Sequence, residues 1–137
     1  MKTVLRFALL SCAFGVATHA MAEDARTTND LKQIGLAYHL FINDNPRGPT
    51  KAEDLGPYLC NNKRLIDLLK NEDIYFFYKV GIAQMTAGTS RTILAFEKDA
   101  PKKGGLVLMG DGSVKKLSAD EFKKTPLAGK LKEEKDK

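Results

Sequence analysis

Hydrophobic residues recur at helical spacing in the first part of the chain and cluster into strand-like runs in the second part. In residues 27–43, one face of a helix would carry five apolar side chains: Leu31, Ile34, Tyr38, Phe41 and Ile42. Thr27 to Asn29 provide candidate N-caps, and the prolines of "NDNPRGP" are expected to end this helix. Gly35 costs about 1 kcal/mol inside a helix, which indicates a close contact across it.

Two shorter helical segments are predicted next. Thr50-Lys51-Ala52-Glu53 has the spacing of a capping box, which favours a helical turn over Lys51 to Leu59. After Cys60, the stretch "NKRLIDLLKN" has an apolar side, and Asn61 or Asn62 is a suitable helix cap.

Branched and aromatic residues dominate the following segments and favour β-strands. "IYFFYKV" (74–80) and "RTILAFE" (91–97) are both predicted strands. Alternation along the first would place Tyr75 and Phe77 on one face and Phe76 on the other. One face would cover the long helix, and the other would lie in the core or remain exposed to a partner.

The stretch "GGLVLMGDGSVKKLSADEF" (104–122) predicts a hairpin followed by a short helix. Asp111-Gly112 lies between two strand-like runs, which favours a two-residue type I′ turn with positive φ at both positions. Ser118 to Glu121 fits a capping box. Because helices precede strands, we predict an α+β fold, with the long helix packed on an antiparallel sheet of three to five strands.

The ends of the chain predict export. Lys2 and Arg6 precede the apolar run Phe7 to Ala17, and "HAMA" supplies a small-residue cleavage site after Ala22. We therefore expect a signal peptide (1–22), one domain (23–124) and a charged, disordered tail (125–137), in the periplasm or outside the cell. The alternative is a lipoprotein anchored at Cys12.

The charge pattern argues against nucleic acid as a partner. The whole chain carries a net charge of +5, yet residues 23–122 contain 14 basic and 14 acidic residues. The excess lies in the signal and the tail, so the domain lacks the basic composition typical of nucleic-acid binding. The mature chain also contains no apolar run long enough to span a membrane.

Two segments together resemble the DUF1559 family of planctomycete proteins, which are similar to the pseudopilins of type II secretion. "NDLKQIGLAYHLFINDN" resembles that family's amino-terminal helix, through seven matching positions: Leu31, Lys32, Gln33, Ile34, Gly35, Leu36 and Ala37. "ILAFEKDAPKKGGLVLMGDGSV" resembles its carboxy-terminal signature, through Gly104, Gly105, Asp111 and Gly112. The resemblance implies a pilin-head-like fold.

The chain also departs from that family. A conventional signal replaces the prepilin leader and the long hydrophobic helix, and Pro101 stands where the family often has a histidine. The resemblance therefore implies a head domain alone, which would not enter a filament through a hydrophobic helix.

The candidate chemical groups are few. Major pseudopilins hold calcium near their carboxy-terminal strands, which makes Asp99, Asp111 and Ser113 candidate ligands, although calcium requires six to eight oxygens. His39 and Cys60 could form a nucleophile pair. Asp111 has a simpler interpretation as a hairpin turn residue.

We thus predict an exported, non-catalytic structural or interaction protein without a cofactor. A sheet edge or the aromatic face would bind a protein partner. A small-ligand or calcium-binding protein, which would use the loops at 98–103 and 110–113, is the second hypothesis. A Cys/His-dependent enzyme is the third.

Overall fold

The computed structural model describes the backbone of residues 13–132 and the side chains of residues 21–132. Residues 1–12 of the predicted signal peptide (1–22), which include the candidate lipidation site Cys12, and the last five tail residues lie outside this range. Within it, the α+β prediction is confirmed: a long helix packs on a four-stranded antiparallel sheet whose strands lie side by side in chain order.

The first helix, α1, spans Ala13–Asp44. Its predicted start near Thr27 is wrong, because Thr27 to Asn29 lie within the helix and do not cap it. The residues just before them, such as Met21, Ala22, Glu23 and Arg26, are good helix formers, so nothing in the chain stops the helix there. The predicted apolar face is confirmed, since Leu31, Ile34 and Tyr38 are fully buried.

The segment after α1 is held by caps. A 3-10 helix spans Ala52–Leu59, and Asp54 rather than Glu53 completes its cap by accepting hydrogen bonds from Thr50 N and Lys51 N. Helix α2 spans Lys63–Lys70 and has Asn62 as its N-cap, as predicted. The caps thus set where both helices begin.

The sheet contains β1 (Ile74–Phe76), β2 (Ile93–Glu97), β3 (Gly105–Met109) and β4 (Val114–Leu117). β1 is shorter than predicted because Lys79 has a φ of 63° and its N–H donates to Pro49 O, 2.7 Å away. Short 3-10 turns at Ile82–Gln84 and Thr89–Arg91 connect β1 to β2.

Two further helices complete the chain order. Helix α3 (Ala100–Lys103) lies between β2 and β3, and α4 (Ala119–Lys124) follows β4. Ser118 and Glu121 form the predicted capping box at the start of α4.

Both faces of the sheet are covered. Tyr38 of α1 packs edge-on against Phe76, with ring centroids 5.9 Å apart. On the opposite face, Phe96 stacks on Tyr75 at 4.9 Å and meets Phe122 of α4 at the same distance. The aromatic strand therefore belongs to the core, and the alternative of an exposed aromatic face is wrong.

The chain after α4 also packs on the sheet. Ile93 N donates to Pro126 O, and Ala128 N donates to Ile93 O, each over 2.9 Å. Leu127 pairs with Ile93 in a parallel bridge. The predicted disordered tail from residue 125 is therefore wrong as far as Ala128, because Leu127 and Ala128 join the core.

The β3–β4 turn differs from the predicted type I′ turn. Met109 N donates to Ser113 O, and Gly112 N donates to Met109 O, which leaves a three-residue loop. Gly112 has a φ of 90°, whereas Asp111 is absent from the residues with positive φ. This is the type I turn followed by a left-handed glycine, which requires positive φ at one position only.

Candidate functional site

The long helix meets the β3–β4 hairpin at Gly35. A methyl group on this glycine would lie 2.9 Å from Leu108 Cδ1 and 3.3 Å from Gly112 Cα. Both distances are shorter than ordinary carbon contacts, so a larger residue would push the two elements apart. The close contact predicted at Gly35 is confirmed, and it joins residues 29–45 to residues 93–114.

Asp111 has a structural role in the hairpin. Its Oδ1 accepts hydrogen bonds from Ser113 N at 2.9 Å and from Ser113 Oγ at 2.6 Å, and these bonds hold the pKa of the Asp111 carboxyl below its usual range. Asp111 N donates to Thr89 O, which ties the hairpin to the loop before β2. Every described hydrogen bond of Asp111 therefore serves the turn or its attachment to the loop before β2.

The candidate calcium ligands are not brought together. Asp99 lies between β2 and β3, whereas Asp111 and Ser113 lie between β3 and β4, at the other end of β3. Five strand residues at about 3.4 Å each separate the two ends by about 17 Å, so one ion cannot contact all three residues. Among the side chains of residues 21–132, no group of three or more His, Cys, Asp or Glu could hold a metal.

Gly104 and Gly105 allow close approaches where β3 begins. A methyl group on Gly104, whose φ is 75°, would lie 2.7 Å from Leu117 O. One on Gly105 would lie 2.6 Å from Glu97 Oε2, an oxygen that accepts a hydrogen bond from Leu106 N. The glycine pair thus lets β3 pass close to the end of β4 and to Glu97.

His39 and Cys60 contact different elements. The His39 ring faces the hairpin, within 4 Å of the position of a methyl group on Gly112. Cys60 is exposed at the end of the 3-10 helix. No hydrogen bond links the two among the described residues, and the buried His39 Nε2 has no partner there. An enzyme built on this pair remains an untested prediction.

The outer side of β4 is a free sheet edge, and the prediction of a sheet edge as a binding surface did not indicate which strand would form it. Met109 N donates to Ser113 O, so alternate residues of β4 face β3. The backbone N–H and C=O groups of Val114 and Lys116 consequently point away from the sheet. No strand pairs with this side of β4 among the described residues, because β4 is the outermost strand.

A groove of about 260 Å³ lies on the sheet face opposite α1, between the side chains of β4 and the chain that follows α4. Its basic side chains are Arg91, Lys115 and Lys124, and its apolar floor includes Met109 and Leu117. None of the described residues that line it is acidic. We call this feature the basic groove.

Only part of the basic groove could be found in the sequence. Two adjacent lysines in "SVKKL" suggest an edge strand, since lysine is common on sheet edges. Arg91 and Lys124 come from distant segments that only the fold brings beside Lys115.

In comparisons with known proteins, no family model, curated protein or solved structure matched this chain. Among residues 13–132, we also find no helix with both the length and the apolar character that a membrane crossing requires.

Proposed function

We propose that this protein is an exported, non-catalytic interaction module, similar to a pseudopilin head, and that β4 binds an extended acidic segment of a protein partner. The observation that supports this most strongly is the free edge of β4 beside the basic groove. A strand added to a sheet edge gains affinity from backbone hydrogen bonds and specificity from its side chains.

The outer edge of β4 supplies backbone hydrogen-bonding groups for an added strand. Val114 and Lys116 each offer one N–H and one C=O to an added strand. Lys116 itself extends to the opposite face, where its Nζ contacts Asp24 of α1 at 2.6 Å. The lysine side chain therefore does not block the edge on the groove side.

The basic groove supplies positive charges that would attract an acidic segment. Alternate side chains of an added strand would point to the sheet face that carries the groove, where Lys115 and the exposed Arg91 and Lys124 are placed. Neither Arg91 nor Lys124 has a side-chain partner among the described residues, whereas Lys115 Nζ makes one long bond, 3.4 Å, to Ser90 O. Carboxylates are the complementary groups, and salt should weaken the complex by screening.

Binding can be measured by fluorescence anisotropy with a labelled peptide of alternating valine and glutamate. The matched peptide of alternating valine and lysine should not bind. Lys124→Glu should weaken binding about fivefold or more, since it replaces attraction with repulsion in the groove. Lys32→Glu, an equal charge change on the exposed side of α1, should have little effect.

A second pair of variants tests strand addition itself. Lys116→Pro removes one outward N–H without breaking the β3–β4 pairing, and Lys116→Ala removes the side chain but keeps that N–H. Loss of one hydrogen bond should make the proline variant about fivefold weaker than the alanine variant. Equal affinities would show that the peptide binds the charges without extending the sheet.

Export is tested separately. Amino-terminal sequencing of the protein from a periplasmic fraction should begin at Glu23 if the predicted signal is cleaved. A chain that still begins at Met1 would contradict export through this signal.

A further inference from the structure

A second cavity lies away from β4. It is an open cleft of about 760 Å³ between α1, α2 and the end of the sheet where β1 begins and β2 ends. Helix α3 forms its far wall. Among the described residues, the cleft and the basic groove share no lining residue, so a ligand in the cleft would bind independently of the proposed function at β4.

A fixed guanidinium forms one wall of the cleft. Arg64 Nη1 donates to Asp30 Oδ2 at 2.8 Å, and Arg64 Nη2 donates to Asp30 Oδ1 at 2.6 Å. The Asp30 side chain is only 5% exposed, whereas that of Arg64 is 42% exposed. A guanidinium has five N–H donors, so this pair leaves three of them for a ligand.

The orientation of Arg64 favours a carboxylate ligand. Guanidinium and carboxylate match in a two-bond, planar geometry. Because Asp30 already holds the Arg64 side chain, less side-chain freedom is lost when a ligand binds. Arg26 and Lys103 add positive charge to the same cleft.

The cleft also carries negative charge. Glu23, Asp73 and Asp99 line it, and none of these carboxylates has a described side-chain partner. Leu68, Ile74 and Ala100 contribute apolar contact. A ligand of a single sign would meet repulsion from part of this lining.

We infer that this cleft binds a small zwitterion, namely a free amino acid or a short peptide with free termini. The ligand carboxylate binds the guanidinium of Arg64, and the ligand ammonium lies towards the carboxylate of Asp73. The apolar lining contacts the ligand side chains. Both charges of the ligand therefore contribute to its affinity.

Isothermal titration with trialanine tests this inference. Acetyl-trialanine lacks the ammonium, and trialanine amide lacks the carboxylate, so each should bind about tenfold more weakly than trialanine. Equal binding of all three would overturn the inference, as would no binding of trialanine. Acetate binding as tightly as trialanine would identify a simple anion site and would also overturn it.

Substitutions in the cleft test whether trialanine binds there. Arg64→Lys keeps a cation beside Asp30 but loses the planar donors, and it should weaken trialanine binding about tenfold. Asp73→Asn removes an exposed carboxylate and leaves the buried pair intact, so it tests the site even if Arg64→Lys folds poorly. Lys63→Gln, on the same helix but outside the lining, is the control. Unchanged affinity in both cleft variants would show that trialanine binds elsewhere.

Discussion

Replacing Gly35 with alanine sets two effects of similar size against each other. Alanine stabilises a helix by about 1 kcal/mol relative to glycine. Its methyl group would, however, lie 2.9 Å from Leu108 Cδ1 and 3.3 Å from Gly112 Cα. Leu108 is fully buried and the second contact is with backbone, so neither atom can move without disturbing the hairpin.

The packing effect should be the larger one. Overfilling a packed core costs about 1–3 kcal/mol. After the gain in helix propensity is subtracted, we expect Gly35→Ala to lower the free energy of unfolding by about 1 kcal/mol. For a domain of this size, the melting temperature should fall by about 3–6 °C.

Urea unfolding can separate the two effects. Lys32 lies on the same helix and is exposed, so the difference between Lys32→Ala and Lys32→Gly measures helix propensity without packing. Leu108→Val removes the atom nearest to the new methyl group. The double variant Gly35→Ala/Leu108→Val should therefore lose less stability than the sum of its two single changes.

One result would refute the reasoning. If Gly35→Ala gains the full alanine–glycine difference measured at Lys32, the helix does not contact the hairpin as described. Additive effects of Gly35→Ala and Leu108→Val would likewise show that the two residues do not touch.

Three further predictions concern polar groups. Arg64→Leu leaves the buried Asp30 carboxylate unpaired and should destabilise the protein by about 3 kcal/mol in urea unfolding, whereas replacing both residues with leucine should restore most of that loss. His39→Leu should raise the free energy of unfolding by up to about 1 kcal/mol, because it removes a buried nitrogen that has no described hydrogen-bond partner. A less stable variant would show that this nitrogen does have a hydrogen-bond partner. Hydrogen bonds from Ser113 lower the pKa of Asp111 in the folded protein, so Asp111 contributes stability above its usual pKa of about 4, and this stability is lost as the pH falls through the lower folded value. Asp111→Asn should therefore flatten the dependence of the unfolding free energy on pH in this acidic range. Parallel pH profiles of the variant and the original protein would contradict this prediction.

Local patterns predicted the elements of this fold well. The apolar spacing of Leu31, Ile34 and Tyr38 identified the buried face of α1, and the caps at Asn62 and Ser118 marked where α2 and α4 begin. These features depend on neighbours in sequence, which is why a single sequence contains them.

Errors arose where distant contacts decide the structure. Lys79 ends β1 early because its N–H bonds to Pro49, and Leu127 joins the sheet because β1 leaves the side of β2 open near Ile93. The basic groove and the cleft also depend on contacts between residues that are distant in sequence. Arg64 reaches Asp30 across 34 positions of sequence, and no local pattern indicates that pair.

The contact at Gly35 explains how two separated segments of this chain can constrain one another without revealing a function. Gly35 permits the approach of α1 to the hairpin, Gly112 supplies the positive φ of the turn, and Asp111 fixes that turn through Ser113. Each of these requirements concerns the hairpin turn or the packing of α1 against it. Proteins that share this contact can therefore share the segments while their exposed surfaces differ. In this chain, two residues proposed to bind a partner or a ligand, Lys124 near β4 and Arg64 in the cleft, lie outside both segments, and function should be tested there first.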